Sequence, residues 1–93
     1  MTKAEIVSEI SSKTGLDRKV VLNTVEALMD SVKESLAKGE EVYFRGFGSF
    51  IIKHRAEKTA RNITKNTTII VPAHQIPAFR PSKEFLDMLK KGE

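Results

Sequence analysis

Seven cationic side chains, Lys53, Arg55, Lys58, Arg61, Lys65, Arg80 and Lys83, fall between positions 53 and 83, where Glu57 is the one acid. Residues 1–52 hold seven Lys/Arg against eight Asp/Glu, and residues 84–93 hold two against three. The +4 charge of the chain therefore originates in a single stretch. A block this one-sided in an otherwise balanced protein is the footprint expected for a polyanion partner, because neutralising phosphates releases condensed counterions.

Other chemistries are poorly served. The chain has no cysteine, which excludes disulfides and thiolate metal sites. It has neither a Gly-x-Ser-x-Gly nor a His-Glu-x-x-His motif. His54 and His74 lack ligand spacing and read as surface residues, with His54 adding to the basic stretch. Glu40 and Glu41 are adjacent, so a strand would send them to opposite faces and spoil a carboxylate pair. Gly46-Phe47-Gly48 lacks the Gly-Lys-Ser/Thr ending of a phosphate-binding loop and reads as a turn. The expectation is a binding protein and not an enzyme, without metal, cofactor or small-molecule substrate. No apolar run approaches the ~18 residues of a membrane span, and no apolar signal region precedes the first helical pattern, so a cytoplasmic location is expected.

The elements that must position these cations follow from periodicity. With 93 residues the chain is one domain, near the size at which burial barely offsets chain entropy. Thr2 and Glu5 have the form of a capping box ahead of a helix over about 3–13. Asp17 suits the N-cap of a longer helix that carries Val21, Val25, Leu28, Val32 and Leu36 on one face and ends at Lys38-Gly39. Val20, Leu22 and Met29 widen that face beyond one packing partner, which predicts a second contact surface. The opposite face carries Asn23, Glu26, Asp30 and Glu34 and is unsuited to a DNA groove.

From Val42 the pattern is a hairpin, 42–44 and 49–52, around the Gly46-Phe47-Gly48 turn. Residues 53–68 have only Ala56, Ala60 and Ile63 as apolar residues and are predicted to project as a ribbon about 30 Å long, returning to a buried strand at Ile69-Ile70-Val71. Residues 73–81 read as turn-rich. Ser82 caps a last helix with Phe85, Leu86 and Leu89 inward, and Lys83 at its N-terminus completes a phosphate seat. The expected class is α+β: a helical part at 1–39, a sheet at 40–81 with an arm at about 53–70, and a helix at 82–91.

Gly46-Phe47-Gly48-Ser49-Phe50, Arg61-Asn62, Pro72-Ala73 and the run Pro77-Ala78-Phe79-Arg80-Pro81-Ser82-Lys83 resemble, in order and spacing, the HU / integration host factor family of bacterial architectural proteins. The resemblance covers essentially the whole chain. It implies an intertwined dimer, of identical chains or with a paralogue, whose two β-arms wrap the minor groove of double-stranded DNA on the nucleoid, bending and compacting it largely without sequence specificity. Carried over by position, it implies that Arg55, Lys58, Arg61 and Asn62 line the arm, that Lys3, Arg18 and Lys83 meet flanking phosphates, and that Phe47, Phe50 and Phe79 are core. The charge block adds Lys53 and Lys65 to the arm and Arg80 to the body, and Ser82 belongs to the phosphate seat at the last helix. Arg45 before the turn resembles the β-type subunit of integration host factor, which leaves a sequence-preferring mode as the alternative. A ribbon that pairs with another protein's strand edge is the other alternative.

The chain departs from the family at the arm tip, where Asn-Pro-x-Thr-Gly is replaced by Asn62-Ile63-Thr64-Lys65-Asn66. Ile63 is still an apolar wedge able to enter between base steps, but it lacks the rigidity of proline.

Overall fold

The computed structural model describes residues 1–62 and 67–91. Ile63 and Lys65 lie outside the described residues.

Helix α1 spans Lys3–Thr14 and α2 spans Arg18–Ala37. The Thr2 hydroxyl accepts from the Glu5 amide at 3.2 Å, so the expected cap forms. At the far end Gly15 adopts φ +76° and donates to the Ser11 carbonyl at 2.9 Å. Asp17 occupies the N-cap position of α2, but its side chain makes no capping hydrogen bond. Val7 on α1 and Val21 on α2 are the buried residues of this pair.

Five strands follow: β1 Val42–Phe44, β2 Gly48–Arg55, β3 Lys58–Asn62, β4 Thr67–Val71 and β5 His74–Pro81, and then α3 Lys83–Lys91. The body sheet has the antiparallel order β1-β2-β5, with Phe50 opposite Val42 on one side and Phe79 on the other. Its third strand is thus β5, and the turn-rich reading of residues 73–81 is corrected. Pro77 and Pro81 suggested a loop, yet β5 is an edge strand, where missing ladder donors are tolerated.

The body ladder ends at the pair Arg55 and His74. Pairing resumes at Lys58 and Val71 as a separate two-stranded sheet, β3-β4. Pro72 at the interruption has no N–H to offer, and its carbonyl meets His74 Nδ1 at 2.9 Å. Ile69-Ile70-Val71 therefore pairs within the arm, and Ile70, expected in a buried strand, is 62% exposed. The long axis measures 57 Å against 34 and 30 Å. The radius of gyration, 18.8 Å, exceeds the ~12 Å of a compact chain of this length.

Among the described residues only Val7, Val21 and Ile51 are buried apolar side chains. All five phenylalanines join one cluster: Phe47 stacks on Phe85 at 5.5 Å and tilts against Phe79 at 5.1 Å, which in turn meets Phe50 at 5.1 Å, and Phe44 reaches Phe50 at 6.1 Å. The cluster is not closed by this chain. Phe47 and Phe79 remain exposed, and Phe44, Phe47 and Phe50 form one wall of a groove of about 720 Å³ whose other wall is Ile6, Leu28, Met29 and Val32. On α3, Phe85 turns inward as expected, but Leu86 and Leu89 stay exposed, with no element among the described residues lying over them.

Candidate nucleic-acid interface

The register of the body sheet sorts its side chains. Residues directly opposite one another share a face, and successive residues alternate. Phe44, Phe50 and Ile52 share one face, bordering grooves with Val32 and Leu36 of α2. Ser49, Ile51, Lys53 and Arg55 of β2 take the other face, together with Tyr43 and Arg80, which both stand opposite Ser49. Lys53, Arg55 and Arg80 are all exposed there. His54 alternates to the helix-side face, its Nδ1 3.4 Å from Gln75 Nε2, and does not extend the basic surface.

Beyond Arg55 the chain enters the arm. Lys58 opens β3 and is exposed, while Arg61 and Asn62 close it in register with Thr68 and Thr67.

A second group gathers at the start of α3. Phe47 N donates to Phe44 O at 3.0 Å to close the β1–β2 turn, and Ser82 N donates to Phe47 O at 2.9 Å, fastening α3 to it. A Cβ placed on Gly46 would come within 3.1 Å of Glu84 Oε2. Arg45 and Lys83, both exposed, therefore flank one corner of the body. The Ser82 hydroxyl accepts from Phe85 N at 3.2 Å, so its acceptor role is taken by the helix cap, and its proton remains free to donate. Ile6 shares a groove with Phe44 and Phe47, which brings the first turn of α1, and Lys3 with it, toward this corner.

Each helix opens with a cation: Lys3, Arg18 and Lys83. A cation at this end opposes the helix dipole and contributes nothing to helix stability, so an external anion is its natural partner. Lys3 already pairs with Glu26 at 2.9 Å, and Arg18 Nε donates to Ser8 Oγ at 3.2 Å. Arg18 is thereby held against α1, with no described bond linking it to the corner or the sheet face.

The register also draws attention to Glu41 and Tyr43, which the sequence reading did not select. Glu41 Oε2 accepts from Ile52 N at 3.0 Å and Oε1 accepts from the Tyr43 hydroxyl at 3.0 Å. The Ile52 amide, and then the phenol, hold the carboxyl below its ordinary value of 4.5. The same bond raises the phenol above its usual 10.0. Recognising Tyr43 would have required the register of β5, which composition concealed. Among the described residues no group of three or more His, Cys, Asp or Glu could hold a metal, and no helix is long and apolar enough to cross a membrane.

A small α+β body with a basic sheet face, a cationic corner and a two-stranded basic arm defines a polyanion-binding protein of the architectural type. The chain belongs to the bacterial DNA-binding protein family of HU and integration host factor, whose model it matches over residues 1–90. It is 36% identical over 90 residues to DNA-binding protein HU of Geobacillus stearothermophilus, covering 97% of this chain and all of that one. It is 41% identical over 97 residues to the integration host factor subunit beta of Marinobacter nauticus, covering 99% of each. Its fold matches that of the chain in an Anabaena HU–DNA cocrystal structure with a TM-score of 0.91 at 29% identity, covering 96% and 97%.

Proposed function

We propose that this chain is a non-enzymatic architectural protein that binds duplex DNA as a dimer, with little sequence preference, and bends and compacts it on the bacterial nucleoid. Its arms, carrying Lys58, Arg61, Asn62 and Lys65 with Ile63 at the tip, enter the minor groove. Lys53, Arg55 and Arg80 hold the backbone over the sheet, while Lys3, Arg18, Arg45, Ser82 and Lys83 meet flanking phosphates. The observation that carries this reading is the register, which gathers the exposed Lys53, Arg55 and Arg80 on one face of the body sheet, at the end from which the arm departs.

The groove between Phe44, Phe47 and Phe50 and the α1–α2 pair supports the dimer, because the buried apolar side chains among the described residues, Val7, Val21 and Ile51, make a very small core. A second copy supplies the missing cover.

Titration of random-sequence duplex across a salt series tests the function. Affinity should fall by about 0.9 log units per log unit of salt for each phosphate neutralised, and Lys53→Ala and Arg55→Ala should each lower that slope by about 0.9. A flat salt dependence, or equal displacement by an acidic polypeptide, would overturn the proposal. The kinship with an integration host factor β subunit and the exposed Arg45 favour one second reading, a sequence-preferring mode. It requires one duplex to outcompete random DNA at equal length.

A further inference from the structure

Tyr43 is the chain's single tyrosine, in a protein without tryptophan, and its ring is 70% exposed in the middle of β1. Through Ser49 it is in register with Arg80, on the face that also carries Lys53 and Arg55. The ring is not loose. Glu41 accepts the phenol proton with one oxygen and the Ile52 amide with the other, anchoring the side chain to the middle strand. With the hydroxyl thus engaged, most of the side chain still faces solvent.

We infer that Tyr43 is a DNA-contacting residue whose ring seats against the deoxyribose of the strand crossing the basic sheet face, and that Glu41 is the positioning residue that holds it there. The inference rests on the proposed DNA-binding function and adds a non-ionic element to it. Charge selects the occupant. An apolar partner segment over Tyr43 would leave Arg80 and Lys53 unsatisfied, whereas a nucleic-acid backbone alternates phosphate with apolar sugar. The Glu41 carboxylate repels phosphate from the hydroxyl edge of the ring, so a sugar fits at this position better than a phosphate does. Aromatic side chains also hold their shape at low entropic cost, and here one torsion is already fixed by a hydrogen bond.

Because the chain has one tyrosine, nitration by tetranitromethane followed by intact mass measurement reports on Tyr43 alone. The experiment uses the full chain with random-sequence duplex, and a gel shift on the same samples scores binding. Saturating duplex should slow nitration several-fold. Tyr43→Ala should weaken binding about five- to tenfold, of the order of one aromatic contact, without altering the salt slope. Tyr43→Phe keeps the ring but loses the bond to Glu41, so it should weaken binding less than Tyr43→Ala does and in the same direction as Glu41→Ala. Glu41→Ala removes a negative charge and on electrostatics alone would strengthen binding. Positioning predicts weaker binding instead, with little added loss in the double variant. A full gel shift with unchanged nitration overturns the contact and leaves the function standing. Absence of any shift overturns the function and the contact with it.

Discussion

Lys3 Nζ and Glu26 Oε1 lie 2.9 Å apart, tying the first residue of α1 to the polar face of α2. Both side chains are about half exposed, so the pair contributes at most ~1 kcal/mol to the fold. Its consequence is for binding: the Glu26 carboxylate competes with a phosphate for the Lys3 ammonium and repels that phosphate. Glu26→Gln should bind duplex several-fold more tightly at low salt while unfolding at nearly the same denaturant concentration. Unchanged or weaker binding would exclude Lys3 from the interface.

The open phenylalanine cluster leads to a second prediction. If a second copy closes the groove lined by Ile6, Leu28, Phe44, Phe47 and Phe50, folding and association are one process, and mass action governs the melting temperature. Thermal unfolding followed over a hundredfold range of protein concentration should show a rising midpoint. A midpoint independent of concentration, with monomer mass in sedimentation, would mean that the chain stabilises itself alone.

Gly48 is the most tightly enclosed glycine among the described residues. A Cβ there would stand 2.5 Å from Phe79 Cζ and 2.6 Å from the Arg80 carbonyl oxygen. Gly48→Ala must displace either the aromatic cluster or the β2–β5 ladder, at a cost of about 1–3 kcal/mol. Chemical unfolding at fixed protein concentration should register that loss. An unaltered midpoint would show that the ring moves aside freely.

Much of this architecture was legible in the sequence, and the exceptions have definable causes. Thr2, Gly15, Gly39 and Ser82 act locally, through a cap or a left-handed residue, so the helix boundaries needed no tertiary knowledge. The basic arm was visible because charge and missing apolar residues exclude a core. The exchange of roles between Ile69-Ile70-Val71 and residues 74–81 was not visible. Three β-branched residues look like a buried strand, and prolines look like a turn, yet edge position in the sheet decides both. Likewise Leu86 and Leu89 have helix-core spacing, but no element among the described residues lies over them. Tyr43 and Arg80 are separated by 37 positions, and only the pairing of three strands brings them onto one face.

The bond between Glu41 and Tyr43 should make β1 sensitive to pH at both extremes. The folded-state pKa of Glu41 is lowered, so its contribution is present above 4.5 and is lost as pH falls through the lowered value. That of Tyr43 is raised, so its contribution is present below 10.0 and is lost as pH rises through the raised value. Between these limits the contact is intact. Unfolding midpoints measured from neutral pH into acid should fall less steeply for Glu41→Gln than for the parent. Superimposable profiles would show that the carboxylate does not act in the fold.

The β3–β4 ladder reaches the pair Asn62 and Thr67, and Ile63, the next residue in sequence, takes by resemblance the position of the family's wedge proline. An apolar side chain inserted at a base step unstacks it and kinks the duplex, at a cost of a few kcal/mol recovered when the bent DNA touches more of the body. Isoleucine can fill such a step, and proline adds rigidity. An acid cannot, because its carboxylate would have to leave water for the base stack. Ile63→Asp should therefore reduce both bending and affinity, whereas Ile63→Pro should bend DNA at least as sharply as the parent. Energy transfer between dyes at the two ends of a short duplex, read at saturating protein, measures the bend, and titration of the same duplex gives the affinity. Equal transfer and equal affinity for parent and Ile63→Asp would remove the wedge from the mechanism and leave the arm to act by charge alone.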